Sequence, residues 1–140
     1  MSSYLVAILA AWCMAHIIKY IVSKVKKEKH GIRSHLFRSG GMPSSHSASV
    51  VALASVIGLK DGFGSGLFGL SVLFAMIVMY DAVKVRRSSG EQGDAIHLMI
   101  KELKSNIKLP RSAKGHTPLE VFAGAILGLL VGIVVFFATT

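Results

Sequence analysis

Cysteine, acidic residues and strand-forming patterns are all scarce in this sequence. Cys13 is the single cysteine among 140 residues, so an intramolecular disulfide is impossible and a cysteine-based metal site is not expected. Seven acidic residues face 16 lysines and arginines, which gives a net charge of +9. We find no convincing strand, no internal repeat and no low-complexity tail. The sequence therefore predicts an all-α protein with a single domain, residues 1–140.

Long apolar runs are the main feature that is present. Hydrophobic residues make up 52% of the chain, and the mean hydropathy of +0.59 is too high for an ordinary soluble domain. The run from Tyr4 to Val22 is about long enough to cross a bilayer, which takes ~20 residues. No basic segment precedes it and no small-residue cleavage site clearly follows it. We interpret it as a retained membrane helix rather than a signal peptide.

The pattern predicts an integral membrane helical bundle with about four transmembrane or near-transmembrane helices and one amphipathic helix. The amphipathic helix is predicted from Glu91 to Ile107, after a break at Ser88-Ser89-Gly90, on the cytoplasmic membrane surface or against the bundle. Small residues in the second helix, and glycines spaced by four in the last helix, predict close helix packing. The second helix is short for a crossing, so we expect its first turn to lie below the membrane surface. The four membrane helices are predicted at about 3–23, 44–59, 67–85 and 117 to the C-terminus.

Charge placement predicts the topology. Six basic residues lie between the first two helices and eight between the last two, whereas the loop between the second and third helices holds only Lys60. By the positive-inside rule both basic loops face the cytoplasm. Membrane orientation alone therefore accounts for the placement of the positive charge, and we expect no nucleic-acid partner. This topology also brings three polar segments to the cytoplasmic ends of their helices. They are the turn at Ser44–His46, the Arg86–Arg87 pair and the turn at His116.

Two polar turns that open apolar helices carry the most distinctive chemistry. Free backbone N–H groups at helix starts bind anions, so we expect the two turns to hold one phosphate. A neutral imidazole attacks phosphorus when a carboxylate holds its other nitrogen, and Glu120 follows His116 by four residues, on the same helix face. His46 is available as the acid for the leaving oxygen. The turns read Gly40-Gly41-Met42-Pro43-Ser44-Ser45-His46-Ser47 and Gly115-His116-Thr117-Pro118-Leu119-Glu120.

These motifs resemble those of a known superfamily. Pro43-Ser44-Ser45-His46 and His116-x-x-x-Glu120 look like motifs two and three of the type-two phosphatidic acid phosphatase and vanadium haloperoxidase superfamily. The segments Gly40-Gly41-Met42, Tyr80-Asp81-Ala82 and Val85-Arg86-Arg87 are similar to its small divergent membrane branch, and the likeness covers about 40–128.

The resemblance implies metal-independent hydrolysis of a lipid phosphate, with no cofactor. It implies that His116 is the nucleophile, which becomes a phosphohistidine, and that His46 is the general acid. It also implies that Glu120 orients His116, and that Ser44 and the backbone around Ser45 hold phosphate oxygens.

The sequence departs from the superfamily pattern in its cations. The first motif, a lysine followed by Arg-Pro, is not intact, and the Ser-Arg pair before the histidine of motif three is missing. Glutamate also replaces aspartate after that histidine. The candidate phosphate-binding cations are Lys19, Arg86, Arg87 and Arg111. Lys19 would otherwise snorkel to the membrane edge, and the arginine pair would otherwise be ordinary basic residues at a cytoplasmic helix end.

Other motif residues also have purely structural interpretations. Thr117-Pro118-Leu119-Glu120 is a capping box, which alone would explain Glu120. Ser44 and Ser45 would cap the second helix. Asp81 would pair with Lys84 or another cation.

We interpret the protein as a multi-pass membrane phosphatase whose site faces the cytoplasm. Its partners would be the lipid bilayer and a phosphorylated lipid substrate, such as a phosphatidyl phosphate or an isoprenyl (di)phosphate. The incomplete first and third motifs motivate an alternative, a non-catalytic membrane protein that binds a phosphorylated lipid or partner. The glycine spacing leaves room for a homodimer.

Overall fold

The computed structural model describes residues 2–25, 41–109 and 115–139, and within these ranges the fold is all-α, as predicted. A π-helical turn, Asp81–Val85, joins the third helix to the fourth. The helices are α1 (Ser3–Val25), α2 (Ser45–Asp61), α3 (Gly66–Tyr80), α4 (Arg86–Glu102) and α5 (Pro118–Thr139).

Three helical segments of the described chain are long and apolar enough to cross a membrane. They are α1, the 37-residue helix Gly66–Glu102 that combines α3, the π-helical turn and α4, and α5. Helix α2 has 17 residues, and at 1.5 Å per residue it is about 25 Å long, shorter than the ~30 Å hydrocarbon core. The protein is therefore an integral membrane bundle with three long helical segments and one shorter helix.

The interior of the bundle is built from small side chains. Ala7, Ala11 and Ala15 of α1 are fully buried, at four-residue spacing. Leu5 and Leu9 of the same helix are 53% and 52% exposed. Small residues inside and large apolar residues outside are typical of helices that pack closely within lipid.

Helices α2 and α5 run parallel with their backbones in contact. A Cβ atom added at Gly124 would lie 2.4 Å from the carbonyl oxygen of Ser44, and one added at Gly128 would lie 2.3 Å from that of Ala48. The contact advances by four residues on both helices at once, which makes the pair parallel. The packing predicted from the glycine spacing is confirmed, and both helices begin at the same end of the bundle.

Helix α1 is antiparallel to α2. The Tyr4 hydroxyl donates to the Asp61 carboxylate, with O···O distances of 2.7 and 2.8 Å. The Lys60 Nζ donates to Ser3 Oγ at 3.0 Å. Because the start of α1 meets the end of α2, the second half of α1 reaches the end of the bundle where α2 and α5 begin.

The break predicted at Ser88-Ser89-Gly90 is wrong, because α4 passes through these residues. One glycine in a helix costs about 1 kcal/mol and a serine less, which is too little to end a helix that has other support. That support includes contacts across the segment from Arg87 to Glu91 and from Gln92 to Ser88. Helix α4 is amphipathic, as predicted, but it continues α3 and ends at Glu102.

Candidate active site

Three segments meet where α2 and α5 begin, and backbone hydrogen bonds join them. The Ser44 N–H donates to the Glu120 carbonyl at 3.0 Å, which ties the start of α2 to the first turn of α5. The His116 N–H donates to the Ala82 carbonyl, also at 3.0 Å, which ties the turn before α5 to the π-helical turn. The three polar segments that the charge pattern groups together therefore lie at one end of the bundle.

His116 is a buried imidazole held by Glu120. Its side chain is 7% exposed, and its Nδ1 lies 3.2 Å from Glu120 Oε2. The same carboxylate oxygen accepts the Thr117 N–H at 2.9 Å, and the Glu120 N–H donates to Thr117 Oγ1 at 3.3 Å. The capping box is confirmed, and the oxygen that closes it is also the atom that contacts the His116 ring.

This contact determines which nitrogen of His116 is available. A carboxylate only accepts hydrogen bonds, so Nδ1 carries the proton and Nε2 keeps its lone pair when the ring is neutral. Burial lowers the pKa of His116 below its usual value, the Glu120 hydrogen bond and charge partly restore it, and nearby Lys19 and Arg86 lower it further. A neutral imidazole with a free Nε2 is the form that attacks phosphorus.

The first turn of α2 presents His46 and buries the serines around it. Ser44 is the N-cap of α2, as the capping interpretation predicted, and its Oγ accepts from the Ser47 N–H at 3.4 Å and from the Ser47 hydroxyl at 3.0 Å. Ser45 is 4% exposed. His46 is exposed, and its ring interacts electrostatically with His116. The turn thus combines an accessible imidazole with the free N–H groups of a helix start.

Lys19 is buried in the bundle and does not snorkel. It is 8% exposed and continues the four-residue series of small buried residues on α1. Gly41 has a φ of 89°, which favours glycine, and a Cβ atom there would lie 3.8 Å from Lys19 Cδ. The charge of Lys19 acts on Glu120, His46 and His116. The structure therefore groups Lys19 with the two histidines.

The two adjacent arginines have different environments. The Arg86 guanidinium pairs with Asp81 through Nε, and its charge acts on both His46 and His116. Asp81 thus pairs with a cation, as expected, and that cation is Arg86 rather than Lys84.

Arg87 pairs instead with Glu91, at 3.2 Å, and the two side chains are 52% and 69% exposed. The structure therefore brings Arg86, but not the side chain of Arg87, to the histidine cluster. Arg111 lies outside the described residues.

Sequence reasoning missed the backbone contacts that hold the cluster together. Ala82 contributes its carbonyl oxygen, so no side-chain signal identifies it. Gly115 packs against the backbone of Arg87, and a Cβ atom there would lie 2.4 Å from the Arg87 nitrogen. His16 also interacts electrostatically with His46, and its Nδ1 bonds the Trp12 carbonyl at 2.9 Å. Within the described ranges, no three His, Cys, Asp or Glu side chains group as metal ligands.

Two imidazoles, one of them bonded to a carboxylate, lie with two cations and a helix start at one end of a membrane bundle. These features define a small membrane protein related to the phosphatase superfamily that its motifs resemble. The model of the Divergent PAP2 family matches residues 1–131, and the chain belongs to this family. The resemblance inferred from the motifs is thereby confirmed.

The chain is also similar to the uncharacterized membrane protein YuiD of Bacillus subtilis (strain 168). The two are 36% identical over 145 aligned positions, which cover 93% of this chain and 91% of that protein. No solved structure matches the chain significantly.

Proposed function

We propose that this protein is a membrane phosphatase that hydrolyses a lipid phosphate without a metal, through a phosphohistidine on His116. The observation that carries the proposal is the buried His116 ring, with its Nδ1 3.2 Å from Glu120 Oε2 and Nε2 left to react. Membership of the Divergent PAP2 family supports a phosphatase-related activity. The substrate would be a phosphatidyl phosphate or an isoprenyl (di)phosphate, because the site lies at the end of a membrane-embedded bundle.

In the first step Nε2 of His116 attacks phosphorus, the P–N bond forms and the P–O bond to the lipid breaks. His46 donates a proton to the leaving oxygen, which becomes the lipid hydroxyl. As the ring becomes cationic, Glu120 stabilises it through Nδ1–H. Lys19, Arg86 and the N–H groups of the first turn of α2 hold the equatorial oxygens, where each well-placed donor is worth roughly 3 kcal/mol in the transition state.

In the second step water attacks the phosphohistidine. His46, now neutral, accepts a proton from the water, the P–N bond breaks and inorganic phosphate leaves. His116 returns to its neutral form with its Nδ1–H still donating to Glu120, and His46 is again protonated for the next cycle. The two histidines therefore have different roles. His116 is the nucleophile, and the accessible His46 exchanges protons with solvent.

The charge pattern supports a site on the cytoplasmic side. The loops that flank the cluster carry nearly all the basic residues, and such loops face the cytoplasm. The phosphate would enter from the inner membrane surface while the apolar tail of the lipid stays in the bilayer.

The test is phosphate release from a panel of lipid phosphates by the purified protein in EDTA. We expect His116→Ala to abolish turnover and His46→Ala to lower kcat by roughly 10²–10⁴-fold, the usual value of a general acid. His97→Ala, on α4 and outside the cluster, is the matched control and should remain near wild type. Undiminished release by both His116→Ala and His46→Ala would rule the mechanism out.

A non-catalytic role in binding a phosphorylated lipid is the second candidate. The missing Ser-Arg pair before His116 favours it, because that pair is part of the superfamily pattern. Saturable binding of lipid phosphates with no turnover of any of them would support this role over catalysis.

A further inference from the structure

The π-helical turn brings Asp81 and Arg86 to the same side of their helix. In an α-helix of 3.6 residues per turn, positions five apart lie about 140° apart around the axis. Here the Arg86 N–H donates to the Asp81 carbonyl, an i→i+5 hydrogen bond that stacks residue 86 over residue 81. The two side chains consequently meet, and the Asp81 carboxylate accepts from Arg86 Nε.

The backbone on both sides of Arg86 is attached to the turn that carries His116. Ala82, within the π-helical turn, accepts the His116 N–H at 3.0 Å. Arg87 lies so close to Gly115 that an added Cβ would stand 2.5 Å from the Arg87 Cα. Arg86 lies between these two contacts, so its backbone position relative to His116 is fixed. Only the direction of its long side chain remains to be set.

We propose that Asp81 is a positioning residue that sets this direction: by holding Arg86 through Nε, it presents the remaining guanidinium N–H groups to a phosphate bound at His116. A guanidinium has five N–H donors in a rigid plane, and one bond at Nε leaves the four on the Nη atoms. Fixing one edge of the plane orients the other edge for the two-point contact that phosphate oxygens accept. The proposal rests on the proposed function, since that function supplies the phosphate.

The neighbouring pair provides a matched comparison. Arg87 and Glu91 form an ion pair of the ordinary i,i+4 kind, one position further along, at 3.2 Å. Both pairs are partly exposed, so each contributes little to folding. A loss of anion affinity that occurs in Asp81→Ala but not in Glu91→Ala therefore reports on anion binding rather than on folding stability.

The experiment measures orthovanadate binding, as a phosphate mimic, together with kcat and KM on a lipid phosphate, for the full-length protein in micelles. We expect Asp81→Ala to weaken vanadate binding about tenfold, as for the loss of one charge-assisted hydrogen bond. Asp81→Asn, whose amide oxygen can still accept from Nε, should recover most of that affinity. Glu91→Ala should bind vanadate like the wild type.

A double-mutant cycle separates positioning from a structural role. If Asp81 acts through Arg86, then Asp81→Ala adds no further loss of vanadate affinity once Arg86 is alanine. The inference would be overturned if Asp81→Ala and Glu91→Ala weakened vanadate binding equally, or if the losses in Asp81→Ala and Arg86→Ala were fully additive. In either case, turnover by the wild type would leave the proposed function intact. If the wild type shows no turnover, the proposed function fails and the same cycle on vanadate binding still decides the role of Asp81. A wild type that binds no vanadate overturns both.

Discussion

A single oxygen of Glu120 both closes the capping box and contacts His116, and two substitutions separate these roles. Thr117→Ala removes the hydroxyl that accepts the Glu120 N–H at 3.3 Å but leaves the 3.2 Å contact between His116 Nδ1 and Glu120 Oε2. Glu120→Ala removes the contact with the ring and the carboxylate half of the box together. If Glu120 were only a cap, the two variants would behave alike.

The losses of stability and of kcat that we expect differ enough to show whether Glu120 is only a helix cap or also orients His116. Loss of a helix cap costs about 1 kcal/mol of stability, or roughly fivefold in the unfolding equilibrium, and it does not change kcat of the folded protein. Loss of the carboxylate lets the neutral His116 ring place its proton on Nε2, the nitrogen that attacks in the proposed mechanism. Groups that fix the tautomer of a catalytic histidine are worth roughly 10²–10⁴-fold in rate.

The assay pairs thermal unfolding in detergent with kcat on a lipid phosphate. We expect the two variants to lose similar amounts of stability, and Glu120→Ala alone to lose at least about a hundredfold in kcat. Glu120→Gln should fall between Glu120→Ala and wild type, because its amide can either accept from Nδ1–H or donate to Nδ1. Equal kcat losses in Thr117→Ala and Glu120→Ala, or wild-type kcat in Glu120→Ala, would refute the orienting role.

Two further predictions concern pH and packing. Burial lowers the pKa of His116, and the neutral ring is the proposed nucleophile, so kcat/KM should rise with pH through a value below the usual ~6.5. Glu120→Gln should shift this acid limb of the pH–rate profile to still lower pH, because the Glu120 charge raises the pKa of His116. A Cβ at Gly128 would stand 2.3 Å from the Ala48 carbonyl oxygen, whereas one at Gly69 meets nothing within 4 Å. Each glycine-to-alanine substitution gains about 1 kcal/mol of helix propensity. Thermal unfolding should therefore show that Gly69→Ala is more stable than the wild type. Gly128→Ala should be less stable than the wild type, because its overpacking cost of about 1–3 kcal/mol outweighs that gain.

The fold class was predictable because hydropathy and charge act locally along the chain. Apolar runs of the required length predicted membrane helices. The glycines at 124, 128 and 132 predicted close helix packing, and the structure shows that α2 is the partner. The capping box at Thr117–Glu120 was also readable, because both of its hydrogen bonds are local.

The location of Lys19 was harder to predict, because α1 is apolar on most of its surface and hydropathy does not indicate which face is buried. The usable signal was size rather than polarity. Positions 3, 7, 11 and 15 are all small, and Lys19 continues their four-residue series into the bundle. In a membrane the buried face is the one with small residues, so a lysine on that face lies inside the protein.

The distinction between Arg86 and Arg87 was not predictable from the sequence. The periodicity of α3 does not predict which residues of α4 lie on the same face, because the i→i+5 hydrogen bond of the π-helical turn rotates every later residue around the helix axis. No residue type in Asp81–Val85 signals such a turn. The grouping of Arg86 with the histidines therefore depends on a backbone feature that only the structure provides.

Helix packing and site geometry share the same atoms in this protein. A Cβ at Gly124 would stand 2.4 Å from the Ser44 carbonyl oxygen, while the N–H of Ser44 donates to the carbonyl of Glu120, one turn earlier on α5. A side chain at position 124 would have to move α5 by about 1 Å to restore ordinary contact, and Glu120 and His116 would move with it. Displacements of that size at a reacting group cost rate steeply. The glycine face of α5 therefore sets the distance between the helix that carries His46 and the turn that carries His116.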